Sequence, residues 1–209
     1  MKALHQLIIF ATLILFIAGC NKEETRKPWN IKIEDGVELY NFSGDTYPVS
    51  DGMSASFESI SDFGYNGNNQ VNSFNTRSKF LIKFGNISGL DFTLILNTND
   101  SATLANLNLS NPQQIRFNSF KQVVKKGIYP FASAAKSPFV FYTDKTNNLW
   151  VTDFSQNNLL EIISTTPNTQ DNTANTIIAQ INFDLGLKGF SFSGTKRIKG
   201  TIFSFFTMN

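Results

Sequence analysis

Ile177-Ile178-Ala179-Gln180-Ile181-Asn182-Phe183-Asp184-Leu185 decides the fold class. Ile177, Ala179, Ile181, Phe183 and Leu185 recur at every second residue, with Gln180, Asn182 and Asp184 between them. A period of two places the apolar set on one side of an extended chain, so this is a strand with one buried face. The same phase recurs upstream in Met53, Ala55 and Phe57, in Phe80, Ile82 and Phe84, and in Phe92, Leu94 and Leu96. Further short apolar runs occupy 139–143, 149–154, 159–164, 190–193 and 198–206. Asp35-Gly36 and Asp51-Gly52 stand where two-residue hairpin turns want positive φ. Many short strands punctuated by turn residues predict a mainly β chain, an antiparallel β-sandwich or barrel-like domain.

One segment breaks the period. Asn111-Pro112 reads as N-cap and first helical residue, Phe117, Phe120 and Val124 follow at helical spacing, and Lys121, Lys125, Lys126 and Gly127 close the run. A single helix over 112–126 is expected against a sheet edge or end. The polar stretches 64–75 and 165–176 lack apolar periodicity and read as exposed loops.

The 209 residues include 21 Phe but one His, His5, and one Cys, Cys20. Both fall in an N-terminal segment with Lys2 followed by an apolar run over 7–18. That run is shorter than the ~20 residues that span a bilayer, and it reads as the core of an export signal. It ends in Leu15-Phe16-Ile17-Ala18-Gly19-Cys20, which resembles the bacterial lipobox. The resemblance implies cleavage before Cys20 and lipidation of its thiol, with acyl chains that anchor the protein to a membrane without spanning it. Residues 1–19 are then the signal peptide, 20–29 a charged, Pro-containing tether reaching roughly 30 Å, and 30–209 one β-rich domain. The remaining chain has 17 basic and 16 acidic side chains, too even a balance for a nucleic-acid partner.

Lys22-Glu23-Glu24 resembles the signal that sends Bacteroidetes lipoproteins to the cell surface. The second half carries a wider resemblance. Gly127-Ile128-Tyr129-Pro130-Phe131 is followed by Phe139-Val140-Phe141-Tyr142-Thr143-Asp144, then by Asn148-Leu149-Trp150-Val151-Thr152. The chain closes on Ile198-Lys199-Gly200-Thr201-Ile202-Phe203-Ser204-Phe205. This order is similar to small, uncharacterised β-sandwich lipoproteins of Bacteroidetes over about 112–209, although Gly200-Thr201-Ile202-Phe203 carries one residue more than the usual Gly-x-Phe-x-Phe. It implies a fold and an outer-membrane location, with the cell surface favoured over a periplasm-facing position, and transfers no catalytic residue.

Without His or a free thiol beyond Cys20, Ser-His-Asp and Cys-His catalysis and His/Cys zinc sites are excluded, and no Gly-rich phosphate loop is present. No catalytic or metal-ligating residue is assigned. Carboxylates remain. Asp144, Asp153 and Glu161 are candidates for a glycosidase-type pair, although Asp144 reads as a turn residue and the other two as solvent-facing strand positions. Asn97-Thr98-Asn99-Asp100 and Asp171-Asn172 are oxygen-rich loops that raise a structural calcium, but neither has the spacing of a calcium loop, so no cofactor is expected. Trp150 and Tyr142 are the candidate sugar platforms, with a place in the core as the competing role. Trp29 is expected to pin the first strand. Asp100-Ser101-Ala102 resembles the O-glycosylation motif of exported Bacteroidetes proteins and makes Ser101 a candidate acceptor.

The sequence thus favours a non-enzymatic, lipid-anchored binding module with the membrane as one partner and a glycan or protein as the other. The alternatives are a carboxylate-based glycan hydrolase and a structural component of envelope assembly.

Overall fold

The computed structural model describes residues 29–44, 53–68, 70–84, 87–132, 138–167 and 175–208. Cys20, the tether up to residue 28, the Asp51-Gly52 pair and Asp171-Asn172 lie outside them, whereas Trp29, the last tether residue expected, already opens a strand. The described chain is mainly β: one curled antiparallel sheet forming a half-barrel, with two short helices. Of the two architectures expected, it is the barrel-like one.

The strands are β1 Trp29–Asp35, β2 Glu38–Gly44, β3 Met53–Tyr65, β4 Val71–Phe84, β5 Ile87–Thr98, β6 Gly127–Ile128, β7 Phe139–Thr143, β8 Leu149–Thr152, β9 Leu159–Pro167, β10 Thr176–Gly189 and β11 Thr195–Thr207. The helices are α1 Ser101–Asn106 and α2 Gln113–Val123. Along the main path the order is β2-β1-β11-β10-β8-β7-β5-β4-β3. β10 forks: its first part pairs with β9 through Asp184, and its last three residues pair with β8. Gly186 sits at the fork, where its N–H donates to Asn158 Oδ1 at 2.7 Å and a Cβ would lie 2.6 Å from Gln156.

Residues of one parity fill the interior. Ile177, Ala179, Ile181, Phe183, Leu185 and Leu187 of β10 are all buried, as the alternation predicts. An aromatic chain crosses from wall to wall: Trp29 meets Phe80 edge-on at 5.6 Å, Phe80 meets Phe92 at 6.4 Å, and Phe92 stacks on Phe183 at 5.1 Å. Trp29 therefore ties β1 to the opposite wall. Gly200 makes room for this layer, since a Cβ there would lie 1.9 Å from the Lys32 carbonyl oxygen and 2.6 Å from Phe183.

The sheet curls until β3 and β4 meet the end of β11, beyond the reach of β1. β1 pairs with β11 only as far as Phe203, and hydroxyls take over from there. Ser78 Oγ donates to the Phe205 carbonyl at 3.0 Å, and the Thr207 N–H donates to Ser59 Oγ at 2.8 Å. Ser61 donates to the Thr207 carbonyl, and Ser204 Oγ donates to Ser78 Oγ at 3.1 Å. Ser61, Thr76, Ser78 and Ser204 are buried. Buried polar groups need partners, and this seam supplies them to the backbone as well as to each other.

Several local expectations are corrected. α2 starts one residue later than expected, with Pro112 as its N-cap, because the Asn111 amide instead seals α1 by donating to the Ala105 carbonyl at 2.9 Å. α2 ends at Val123, where Tyr129 Oη accepts from the Lys125 N–H and donates to the Val123 carbonyl, both at 2.8 Å. Burial raises the Tyr129 phenol to about 12. A second helix, α1, follows Asp100, whose carboxylate accepts from the Thr103 N–H at 2.8 Å and is lowered by Thr103. Residues 64–75 are largely strand rather than loop, because β3 and β4 continue as a long hairpin around a short turn. Of 165–176, residues 165–167 belong to β9 and Thr176 opens β10. The β1–β2 turn is Gly36-Val37, with Gly36 at φ 63°, one residue later than Asp-Gly implied. Residues 190–193 form the bend between β10 and β11, closed by Gly189 N–H to Gly194 O at 3.0 Å.

Candidate functional site

The two ends of the half-barrel differ in chemistry. The turns β1–β2, β7–β8 and β10–β11 gather at one end. Lys196, near the start of β11, reaches across all three: its Nζ lies 2.8 Å from Asp35 Oδ2 and 3.1 Å from Asp144 Oδ2. It sits 4.7 Å from the centre of the Trp150 ring and 5.5 Å from that of Tyr142. Trp150 Nε1 donates to Asp144 Oδ2 at 2.8 Å, and Tyr142 Oη donates to Asp35 Oδ2 at 2.9 Å.

This clasp answers two expectations. Trp150 and Tyr142 are buried, so the core role applies and neither offers a free face to a sugar. Burial, then the neighbouring Asp35 charge, raises the Tyr142 phenol. Asp144 does meet another carboxylate, Asp35, which sequence reasoning had not singled out. Both touch one ammonium, so their spacing lies within reach of a glycosidase pair. Their chemistry differs. Asp144 Oδ1 accepts from the Thr146 N–H, Thr146 Oγ1 and the Asn148 N–H, at 3.0, 2.6 and 3.1 Å, which also makes Asp144 the turn residue its sequence context suggested. Burial by itself pushes the Asp144 carboxyl up, but hydrogen bonds from Thr146, Trp150, Asn148 and Lys196 outweigh it and hold the group well below the usual carboxylate range. A general acid needs the opposite shift.

Asp153 and Glu161 do not join this pair. Asp153 is buried rather than solvent-facing, because β8 ends at Thr152 and Asp153 begins a turn. Its Oδ1 accepts from Ser155 Oγ at 2.7 Å and from the Ser155 N–H at 3.0 Å, which lowers its carboxyl. Glu161 is half-buried on β9, paired with Asn182 and Ile128.

The opposite end holds a cleft of about 450 Å³ between the β3–β4 turn and α1. Gln70, Asn72, Asn99, Asn108 and Ser101 supply its polar rim, and Val71, Leu104 and Ala105 its apolar part. None of these side chains is charged. Among the described residues the Asn99 amide and the Ser101 hydroxyl have no hydrogen-bond partner, while Asn108 Oδ1 accepts from Ser110 and leaves its NH2 open. Tyr65 is exposed and pairs across the turn with Val71, which lines the cleft, although Tyr65 itself does not. Ser101, the candidate acceptor, is exposed on the first turn of α1 and faces this cleft. Tyr65, Gln70 and Asn72 were hidden in a stretch read as plain loop. The signal that locates them is Phe74, in phase with Phe80 and Ile82, which carries β4 back toward the turn and makes two polar arms one hairpin.

The class defined by fold and site is an antiparallel half-barrel with a buried ionic clasp at one end and an amide-lined cleft at the other. Compared with known proteins, the chain matches no family model, no curated protein and no solved structure.

Proposed function

We propose that the protein is a lipid-anchored module of the outer membrane, displayed at the cell surface, that binds a neutral glycan in the cleft beside α1. The observation that carries the reading is the cleft's chemistry. Amides both donate and accept, so they match sugar hydroxyls without selecting for charge. The apolar Val71, Leu104 and Ala105, with the exposed Tyr65 paired to Val71, suit the flat C–H faces of a sugar ring. A binder is favoured over a hydrolase because the Asp35–Asp144 pair described above is tied up by Lys196, Tyr142 and Trp150. The lipobox-like Cys20 supplies the anchor.

Glycan-array binding by the full-length protein in detergent tests the reading, with Tyr65→Ala and Asn99→Ala alongside. Both side chains are exposed or half-buried, so the variants should fold and lose most of the signal. An array with no neutral-glycan signal, or signals that both variants retain, would refute the cleft assignment. For the anchor, Cys20→Ala should leave the membrane fraction.

A further inference from the structure

The clasp end carries an apolar fringe. Val37 is fully exposed, Leu39 is 60% exposed, and Phe190 and Phe192 are 64% and 38% exposed. Val37 and Leu39 belong to the β1–β2 hairpin, and Phe190 and Phe192 to the β10–β11 bend. Hairpin tips are ordinarily polar. The two hairpins are held together from beneath: Lys196 of β11 binds Asp35 of β1, and Phe192 stands edge-on to Trp150 at 4.8 Å. Lys145, exposed in the neighbouring β7–β8 turn, pairs with Glu38, which directly follows the β1–β2 turn between Val37 and Leu39.

We infer that this fringe docks on the lipid bilayer, with Val37, Leu39, Phe190 and Phe192 entering the interfacial layer. The choice of lipid as occupant rests on the proposed anchor at Cys20. Nine residue steps separate Cys20 from Trp29 and reach up to about 30 Å, whereas β1 carries the chain only about 23 Å from Trp29 to the tip. The tether is therefore long enough to run back beside β1 and let the tips touch the membrane that holds the lipid. Apolar and aromatic side chains at such a level are stabilised in the interface, and a single lipidation site gains from a second contact. The geometry also has a functional sense. β11 runs from the fringe at Thr195 to the cleft end at Thr207, up to about 40 Å, so tips on lipid turn the cleft outward.

The test uses the full-length protein reconstituted into phosphatidylethanolamine–phosphatidylglycerol vesicles containing brominated lipid. An environment-sensitive fluorophore is attached at Phe190→Cys, at Val37→Cys, or at Tyr65→Cys on the cleft end. All three sites are exposed. Labels at Phe190 and Val37 should be quenched severalfold more than the label at Tyr65. Equal quenching at both ends, or none at either, overturns the docking. The unsubstituted chain reports on the anchor separately: a Cys20 thioether takes up no label. If that chain does label, the anchor reading falls. The comparison is then repeated in the Cys20→Ala background, where stronger quenching at the tips upholds docking and equal quenching overturns it.

Discussion

Lys196→Met is the most informative single change to the clasp. It keeps an unbranched stem against Trp150 and Tyr142 while deleting the charge between Asp35 and Asp144. Side-chain exposures of 18%, 13% and 9% for Lys196, Asp35 and Asp144 mean that solvent screens this group poorly. At an effective dielectric constant of ~20, each contact near 3 Å contributes about 5 kcal/mol before desolvation. Desolvation returns several kcal/mol per ion, so the intact trio stands near balance. Removing only the cation is a different matter, because two carboxylates then remain side by side with their desolvation uncompensated, typically costing about 3–5 kcal/mol. Asp144 keeps its bonds from Thr146, Asn148 and Trp150, which places the expected loss at the lower end, about 3 kcal/mol. For a chain of this size that lowers Tm by roughly 6–12 °C. Urea unfolding of the full-length protein in detergent gives the energy, and Asp35→Asn combined with Lys196→Met should recover part of it as a coupling term. A loss below about 1 kcal/mol for Lys196→Met, with no coupling to Asp35, would refute the clasp as a stabilising device.

Acid should act through the same group. Asp144 is held below its ordinary value in the folded state, so its contribution is complete above about pH 4 and is lost as pH falls through the depressed folded value. Thr146→Ala, which removes the strongest of the bonds that lower Asp144, should flatten that decline more than Lys196→Met in a pH series of unfolding midpoints. Ser78→Ala removes the donor to the Phe205 carbonyl and a partner of Ser204, for an expected cost of about 1–3 kcal/mol, whereas Ser73→Ala on the exposed arm should change chemical-denaturation midpoints little. Gly200→Ala drives a methyl into the Lys32 carbonyl and should cost about 3 kcal/mol, with amide exchange rising first in β1; unchanged exchange there would contradict the close approach.

The walls of this fold are legible because alternation reports a buried face directly, as at Ile177 to Leu185. What covers that face is not encoded locally, so a sandwich and a half-barrel give the same pattern until the pairing of β1 with β11 is known. α1 escaped notice because six residues are too few to establish a helical period, and its cap Asp100 also fits a turn. The β3–β4 arms escaped because Asn72 and Ser73 are exposed beside the turn and the inward positions Thr76 and Ser78 are polar, so the buried face carries no apolar alternation there. The clasp had no local signal at all. Asp35, Asp144 and Lys196 are brought together only by three neighbouring turns, while Trp150 and Tyr142 announced their size but not which way they faced.

The pairing of β1 with β11 also fixes an order of events. β1 finds its second neighbour only in β11, so the β1–β2 hairpin must wait until residues 198–203 have been made. An isolated two-stranded hairpin is marginal in water, and contacts this distant in sequence form slowly. The wall therefore cannot close before residues 198–203 have been made. Removing the chain from Phe205 onward would strip Ser59, Ser61 and Ser78 of their backbone partners while leaving β1 paired, and only a cut before Ile198 would take the partner of β1 as well.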